Sequence, residues 1–533
     1  MQGDIKMKEL NIEKASPSNE NWIKYAIFCL AGIIFTATFI YRFNFVSAPL
    51  ASDESIYIYL GKLAMQGGIP YVDFYEMKPP LLFYIYGMVG LIFKTASGIH
   101  IAALLLAILN SAIIFKILSR KFNSEASFLS SALFFWMYSS PFIFGNYLQS
   151  EHFVNLFNLL AISFIYQKEM NSRNIILAGV SLGLAFLIKQ TALLLLPPLI
   201  ILCSIQNKSF SKFIIDSLKL IGSFLVPVII AFVVVLATGG LNDAKFWLID
   251  FPSEYAISTT IENKFYFLRL FGTQIIAFQY ILWAVVFCAV LVLLFRIKNR
   301  NNIYLLSFLF FSILSIIPGF RYYGHYWLLI IPSAAFCLAY LVEVALNDTK
   351  FRALFLSIFS VLIVIQLFGN SKIFYSNDPD KEISDIHFGQ YHDIIKDIGV
   401  FLSKTLKPTD NLLVLGAIPQ IYIYTDKIAC TKHVWQPMLN YSNTKTIAMR
   451  KEMMSDLEKS RPKYVLFSFN PYHWGLKDSS NDNLYTKSYR FVENNYERVA
   501  IFENTPGKKY LGTEVKSVTL GANMYVVYKL IGS

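Results

Sequence analysis

Residues 79–95 read PPLLFYIYGMVGLIFKT. Whether this stretch crosses a membrane decides the topology of everything that follows it. It is apolar, but it opens on Pro79-Pro80, closes at Lys94-Thr95, and follows the charged run Tyr75-Glu76-Met77-Lys78. About twelve apolar segments recur along the chain, at 22–41, 79–95, 98–118, 126–145, 151–167, 174–189, 191–206, 213–237, 271–296, 303–318, 325–346 and 351–369, several of them near the ~20 residues that span a bilayer as a helix. Basic residues gather in the short loops between them: Arg120-Lys121, Lys168 with Arg173, Lys208 with Lys212, Arg296 with Lys298 and Arg300, and Lys350 with Arg352. If 79–95 crosses, these loops lie opposite the basic N-terminus. If it does not, they all join the N-terminus in the cytoplasm, as the positive-inside rule requires. Residues 79–95 therefore read as re-entrant or in-plane, and about eleven spans remain.

The composition agrees. Of 533 residues, 55% are hydrophobic and 15% charged, where a soluble chain has about 25% charged. The 47 Phe and 32 Tyr suit interfacial aromatic belts. The net charge of +12 comes from short loops, which points to membrane orientation and away from nucleic acid. Five cysteines show no metal or disulfide spacing. Cys29, Cys203, Cys288 and Cys337 fall in apolar runs as packing residues, and Cys430 stands alone. The first apolar run, 22–41, has no small-residue cleavage site after it, so it reads as a retained helix behind a cytoplasmic segment, 1–21.

After residue 370 the composition becomes that of a soluble domain. Residues 371–533 alternate helix and strand: a helix over 391–406, a strand at 412–416, a helix near 445–460, and strands at 464–467, 498–502 and 524–530. This predicts a small α/β sandwich with a partly parallel sheet. An odd number of spans places it outside the cytoplasm. The fold class is thus a polytopic α-helical membrane protein of about eleven transmembrane helices over 22–370, with an extracytoplasmic α/β domain. The setting is the plasma (inner) membrane.

This topology puts the polar interruptions on one outer face. Asp53-Glu54 follows the first span, and Ser52 or Asp53 also suits a helix N-cap. Glu76 and Lys78 flank the Pro-Pro break, as a snorkelling ion pair or as a contact for an anionic headgroup. Glu151 opens a span, where the helix dipole favours an acid; His152 beside it carries little weight. Lys189 interrupts an apolar run, as a tight turn or an anion site. Arg321-Tyr322-Tyr323-Gly324-His325-Tyr326 is the densest polar-aromatic cluster. Belt anchoring explains its tyrosines, while Arg321 and His325 together on an outer loop call for a phosphate partner. Asp243, Asp250, Glu254 and Tyr255 lie in the outer loop 238–270.

Together these residues resemble the GT-C class of polyprenyl-phosphate-sugar glycosyltransferases, nearest to the protein O-mannosyltransferase and lipid A aminoarabinose transferase families. The resemblance covers about residues 20–370 and rests most on Lys78-Pro79-Pro80-Leu81, with Asp53-Glu54, Lys189 and Arg321-x-x-x-His325-Tyr326 in order. It implies a sugar moved, usually with inversion, from a polyprenyl-phosphate carrier to a lipid, glycan or protein acceptor outside the cytoplasm. It implies catalysis by Asp53 with Glu54 in support. Lys78, Lys189, Arg321 and His325 would bind the donor phosphate, with Glu76, Glu151, Tyr322, Tyr323 and Tyr326 around them. Glu151 stands where the family often has Asp. A phosphate leaving group needs no general acid, so cations replace one. No cofactor is required; a divalent cation on the carboxylates is optional. A lipid-sugar flippase is the alternative, but it would not need Asp53 and would show inverted repeats, which the sequence lacks.

Overall fold

The structure is a computed structural model. It describes residues 18–533 apart from 168–169, 208, 349, 377, 379–385, 387–391, 442, 476–483, 505–506 and 533. Most of the expected cytoplasmic segment, the loop residues Lys168 and Lys208, and the expected helix start at Tyr391 lie outside the described residues.

Helices dominate up to residue 374. In order they are α1 (Ser18–Asn44), α2 (Ser52–Met65), α3 (Leu81–Ile92), α4 (Ala96–Leu118), α5 (Ser124–Tyr138), α6 (Ser150–Ile165), α7 (Ser172–Phe186) and α8 (Leu196–Gln206). Then come α9 (Phe210–Ala237), α10 (Leu241–Lys245), α11 (Phe251–Ile257), α12 (Ile261–Phe278), α13 (Tyr280–Phe295), α14 (Arg300–Leu314), α15 (Ile331–Asn347) and α16 (Arg352–Phe374). Local chemistry sets several starts. Thr95, Asn123 and Asn171 each accept the N–H three residues on, which satisfies donors that the first turn cannot pair.

Among the described residues, four helical stretches are by themselves long and apolar enough to cross a membrane: Asn21–Ser47, Ala96–Leu118, Phe210–Ala237 and Arg352–Phe374. Several shorter apolar helices surround them, Ser150–Ile165, Ser172–Phe186 and Ile331–Asn347 included. Helix length alone thus supports fewer spans than the sequence pattern reads. α9 shows an outer surface of Val226, Ile229, Ile230, Phe232 and Val233, all exposed, as a lipid-facing helix would. Its other side packs on α7, where Gly179 and Gly183 lie so close to Leu220 and Phe224 that a Cβ would strike the α9 backbone. α3, with its 12 residues, rises about 18 Å, well short of a ~30 Å hydrocarbon core. It packs on α2 through Gly61 against Gly87, again at a distance that excludes a Cβ.

Two expectations are corrected. The run 271–296 is not one straight span, because α12 and α13 meet at Gln279 with a 98° bend. A break inside apolar surroundings must satisfy the backbone groups it frees. α16 does this here. Gln366 accepts the Ile281 N–H at 3.0 Å and donates to the Phe278 carbonyl at 3.0 Å, and Asn370 donates to the same carbonyl at 3.0 Å. Sequence periodicity does not register a bend whose supporting side chains lie on another helix. The second correction concerns cysteines: Cys203 and Cys337 are buried as expected, but Cys29 and Cys288 are exposed on helix surfaces.

The C-terminal part holds a five-stranded mixed sheet, β1 (Leu412–Leu415), β2 (Tyr464–Ser468), β3 (Tyr496–Glu503), β4 (Lys509–Leu511) and β5 (Met524–Leu530), in the order β1-β2-β5-β3-β4. β1 and β2 are parallel, and the other pairs are antiparallel. β1 and β2 are buried along their whole length, so side chains from both faces are covered, as in layered α/β folds. Helices α17 (His392–Thr405), α18 (Gln420–Thr425), α19 (Thr444–Ser460) and α20 (Leu484–Asn495) accompany it. β4, α18 and α20 are additional to the elements read from the sequence. One buried apolar cluster runs from this sheet into the membrane part, joining Val414, Phe467 and Tyr422 to Leu50, Tyr59 and Phe74.

Gln366→Leu should leave the Ile281 N–H without its partner and lower stability by about 1–3 kcal/mol. A fall in the melting temperature of the detergent-purified protein checks this; an unchanged value would mean that the bend does not depend on Gln366.

Candidate functional site

The site is built on the first turns of α2 and α6 and on connections between helices. Ala48, Pro49 and Leu50 lead toward α2 as an extended, buried segment. The expected cap by Ser52 or Asp53 is not what closes α2. Ala51 occupies the cap position, and Glu54, three residues on, accepts its N–H at 2.9 Å. Glu54 is fully buried and also meets His100 Nε2 of α4 at 2.9 Å and accepts the Leu148 N–H at 2.7 Å. Glu54 therefore knits three chain segments together. Asp53 is left free of that task. Its side chain is one-third exposed, and its Oδ2 lies 3.7 Å from His325 Nε2.

Two further acid–base pairs stand beside Asp53 and His325. Lys78 Nζ is 3.9 Å from Glu76, with both side chains largely buried. The Tyr71 hydroxyl donates to the Lys78 carbonyl at 2.8 Å and shapes the turn before Pro79. Lys189 forms a tight hydrogen-bonded ion pair with fully buried Glu151, and its ammonium lies 3.8 Å from the centre of the Tyr326 ring. The charges of Glu151, Asp53, Lys189 and Lys78 all reach His325. Five of the expected charged residues and His325 thus share one neighbourhood. Burial pushes the Glu76 carboxyl above the usual carboxylate range, with Lys78 opposing it.

Arg321 lies to one side. Its guanidinium stacks over Tyr255 at 4.6 Å and Phe267 at 5.6 Å, and its buried Nε has no hydrogen-bond partner among the described residues. Tyr323 links this aromatic box to the main cluster. Its hydroxyl is 3.2 Å from that of Tyr255, and its ring lies nearly parallel to His325 at 5.8 Å. Tyr326 meets His325 edge-on at 4.6 Å. Phe320 and Tyr322 both take left-handed backbone conformations, φ +52° and +49°, which bend the 319–326 loop around the site. The Tyr322 carbonyl accepts from the Trp327 indole at 3.4 Å, so Tyr322 contributes through its backbone.

His100 went unmarked in the sequence because a single His in a long apolar run gives no sign of its partner. Tyr441, from the C-terminal part, packs beside Tyr255 and Phe251. Asp243 and Glu254 point to the C-terminal part, to Lys445 at 2.5 Å and Asn443 at 2.7 Å. Asp250 lies 3.7 Å from Lys245. A cavity of about 300 Å³ opens between the two parts, lined by Tyr71, Tyr75, Asp243, Trp247, Lys445 and Glu452 among others. For a metal, the donor set does not fit: among the described residues no three His, Cys, Asp or Glu side chains converge, so no step is routed through one.

Above Glu76, the Tyr75 hydroxyl is 2.7 Å from His433 Nδ1, and His433 Nε2 is 3.2 Å from Glu452. A neutral His433 accepts from Tyr75 at Nδ1 and keeps Nε2 close to Glu452. Burial holds its pKa down to about 4, against the pull of Glu452.

Residues 77–237 match the family described as Dolichyl-phosphate-mannose-protein mannosyltransferase. ArnT from Cupriavidus metallidurans bound to undecaprenyl phosphate superposes with a TM-score of 0.57 at 11% identity, over 96% of this chain and 98% of that one. Its apo state gives 0.56 at 12% identity with the same coverage. The Archaeoglobus fulgidus oligosaccharyltransferase tethered with an acceptor peptide gives 0.49 at 13% identity, over 95% of this chain and 75% of that one. No curated protein matches the chain by sequence. At these identities the structural likeness is one of fold. The chain resembles the GT-C class of polyprenyl-phosphate-sugar glycosyltransferases in the matched segment and in its overall fold, and four of its described helices are long and apolar enough to cross a membrane.

The His433 contact has a pH consequence. Its folded pKa of about 4 lies below the unfolded value of about 6.5, so its contribution is fully present above about pH 6.5 and is lost as pH falls toward 4. His473, also held to about 4 by burial, acts in the same direction. The melting temperature should therefore drop across that window, and His433→Gln should make the drop shallower. An identical pH profile in the variant would contradict the assignment.

Proposed function

We propose that the protein is a membrane glycosyltransferase that moves a sugar from a polyprenyl-phosphate carrier to a lipid, glycan or protein acceptor on the extracytoplasmic face. The observation that carries this reading is the gathering of three acid–base pairs, Asp53 with His325, Glu76 with Lys78 and Glu151 with Lys189, on the first turns of α2 and α6 and the connections beside them. The family match over residues 77–237 supports the carrier class. In the proposed topology the N-terminus is cytoplasmic, about eleven segments span, α3 lies in-plane or re-enters, and residues from about 371 form an outer domain. The membrane is the plasma (inner) membrane.

The pair distances suggest a division of labour. Pairs at 3.7 and 3.9 Å are longer than charge-assisted hydrogen bonds of about 2.7–2.9 Å. His325 and Lys78 are thus free to turn toward an incoming phosphate. Lys189 is held tightly by Glu151 and acts as a fixed local charge. Arg321, with its aromatic box, is a further hydrogen-bond donor to the phosphate at the edge. In the step itself, Asp53 takes the proton of the acceptor hydroxyl and that oxygen bonds to the anomeric carbon. The bond from that carbon to the phosphate oxygen breaks, and its electron pair leaves on the polyprenyl phosphate, stabilised by the cations. Attack from the face opposite the phosphate inverts the configuration. Glu54 supports Asp53 by fixing the first turn of α2.

Asp53→Asn should abolish transfer while leaving expression and donor binding intact. The check is transfer of label from radiolabelled polyprenyl-phosphate sugars to envelope acceptors by purified wild type and variant. Donor binding without transfer by either protein would instead support a lipid-sugar transporter. Arg321→Ala should weaken donor binding about tenfold, the scale of one hydrogen bond to a charged group. Unchanged affinity in a direct binding titration would remove Arg321 from the site.

A further inference from the structure

We infer that the C-terminal α/β part fixes the conformation of the segment carrying Asp53, with Gln420 as the positioning residue; the catalytic consequence rests on the reading just proposed. Residues 48–51 are extended and almost wholly buried, with Ala48, Leu50 and Ala51 each at most 1% exposed. An extended buried segment has no partners of its own for its backbone groups, and leaving them unpaired is costly. The membrane helices do not supply the partners of Leu50. Its N–H donates to the Tyr424 hydroxyl at 3.0 Å, and its carbonyl faces His392 Nδ1 at 3.2 Å and Gln420 Nε2 at 3.4 Å. The same Gln420 amide donates to Ser52 Oγ at 3.1 Å, one residue before Asp53.

The arrangement is built for this contact. Gln420 and Tyr424 lie four residues apart on α18, hence on one face of it. Between them Tyr422 anchors α18 from both sides. Its ring stacks on Tyr59 of α2 at 4.9 Å, and its hydroxyl accepts the Val414 N–H of β1 at 2.9 Å. Gln420 itself is fully buried. Tyr75, next to Glu76, is held by His433 in the same manner. Both acid-bearing segments are thus tied from above by the C-terminal part.

The test compares full-length wild type with Gln420→Leu, which keeps shape but loses the donor, and Tyr424→Phe, which loses only the hydroxyl. Amide hydrogen exchange of peptides covering residues 48–56 is the first readout and needs no substrate. Both variants should exchange about tenfold faster there, with the sheet unchanged. Turnover is the second: kcat should fall about tenfold while KM for the donor stays within about twofold, because misplacement of a catalytic group affects the chemical step. Lys62→Ala, which removes an exposed ion pair to Asp426 across the same junction, should match wild type in both readouts. Unchanged exchange at 48–56 in both variants would overturn the inference, as would unaltered kcat alongside faster exchange. If wild type transfers no sugar from any polyprenyl-phosphate donor, the proposed reaction fails, and the exchange readout alone still decides whether Gln420 holds the segment.

Discussion

The buried carboxylate of Glu54 is the point on which the site's geometry depends. A carboxylate removed from water is tolerable only with its lone pairs matched by donors. Glu54 has three, the N–H groups of Ala51 and Leu148 and the His100 ring. Each comes from a different segment: the entry to α2, the turn before α6, and α4. Satisfying one charge therefore fixes where three segments meet. Successive residues on a helix are turned by about 100°, so the same contacts leave Asp53 facing another way, partly exposed and toward His325. The adjacent acids have opposite environments, and on the proposed reading the environment rather than the residue type separates support from chemistry.

The low-dielectric surroundings impose a similar rule on the cations. Lys189, buried near the Tyr326 ring, has Glu151, and Lys78 has Glu76, while burial pulls the pKa of His325 down beside Asp53. Positive charge is thus stored at the mouth of the bundle without being left unpaired. On the proposed reading, an incoming phosphate competes for the loosely paired cations, and the tight Glu151–Lys189 pair supplies a field that need not rearrange. Preorganised charge of this kind stabilises a developing anion without a reorganisation cost at the moment of reaction.

Much of this was legible in one dimension because charge within apolar sequence is rare and conspicuous. Asp53, Lys78, Glu151, Lys189 and His325 stand out for that reason, and the structure brings them together. The boundaries of α17, α19 and most strands were also readable from periodicity. What escaped were features defined by partners far along the chain. His100 is an unremarkable residue until Glu54 sits against it. The bend at Gln279 exists because Gln366 and Asn370 satisfy it, and nothing within 271–296 encodes them. Ser52 and Asp53 both suit a cap by residue type, yet Ala51 holds the cap position of α2, because Glu54 takes its N–H with the same carboxylate that serves His100 and Leu148. Cys29 and Cys288 look like core residues in sequence, but an apolar helix in lipid has no need to bury every apolar residue.

The placement of the site on helix starts and connections explains why the molecule has two parts. On the proposed reading the donor and acceptor need polar side chains and irregular backbone, and irregular backbone near lipid is tolerated only where protein covers it. The helices alone leave the 48–53 and 66–80 segments open on one side. The α/β part covers them, and Tyr424, Gln420, His392 and His433 supply hydrogen-bonding partners that water or lipid would otherwise have to provide. The buried apolar cluster that crosses the junction, from Val414 and Phe467 to Leu50 and Phe74, is what makes that cover continuous. Separating the two parts would expose this cluster and unpair the Leu50 backbone together, so the C-terminal part belongs to the site's construction.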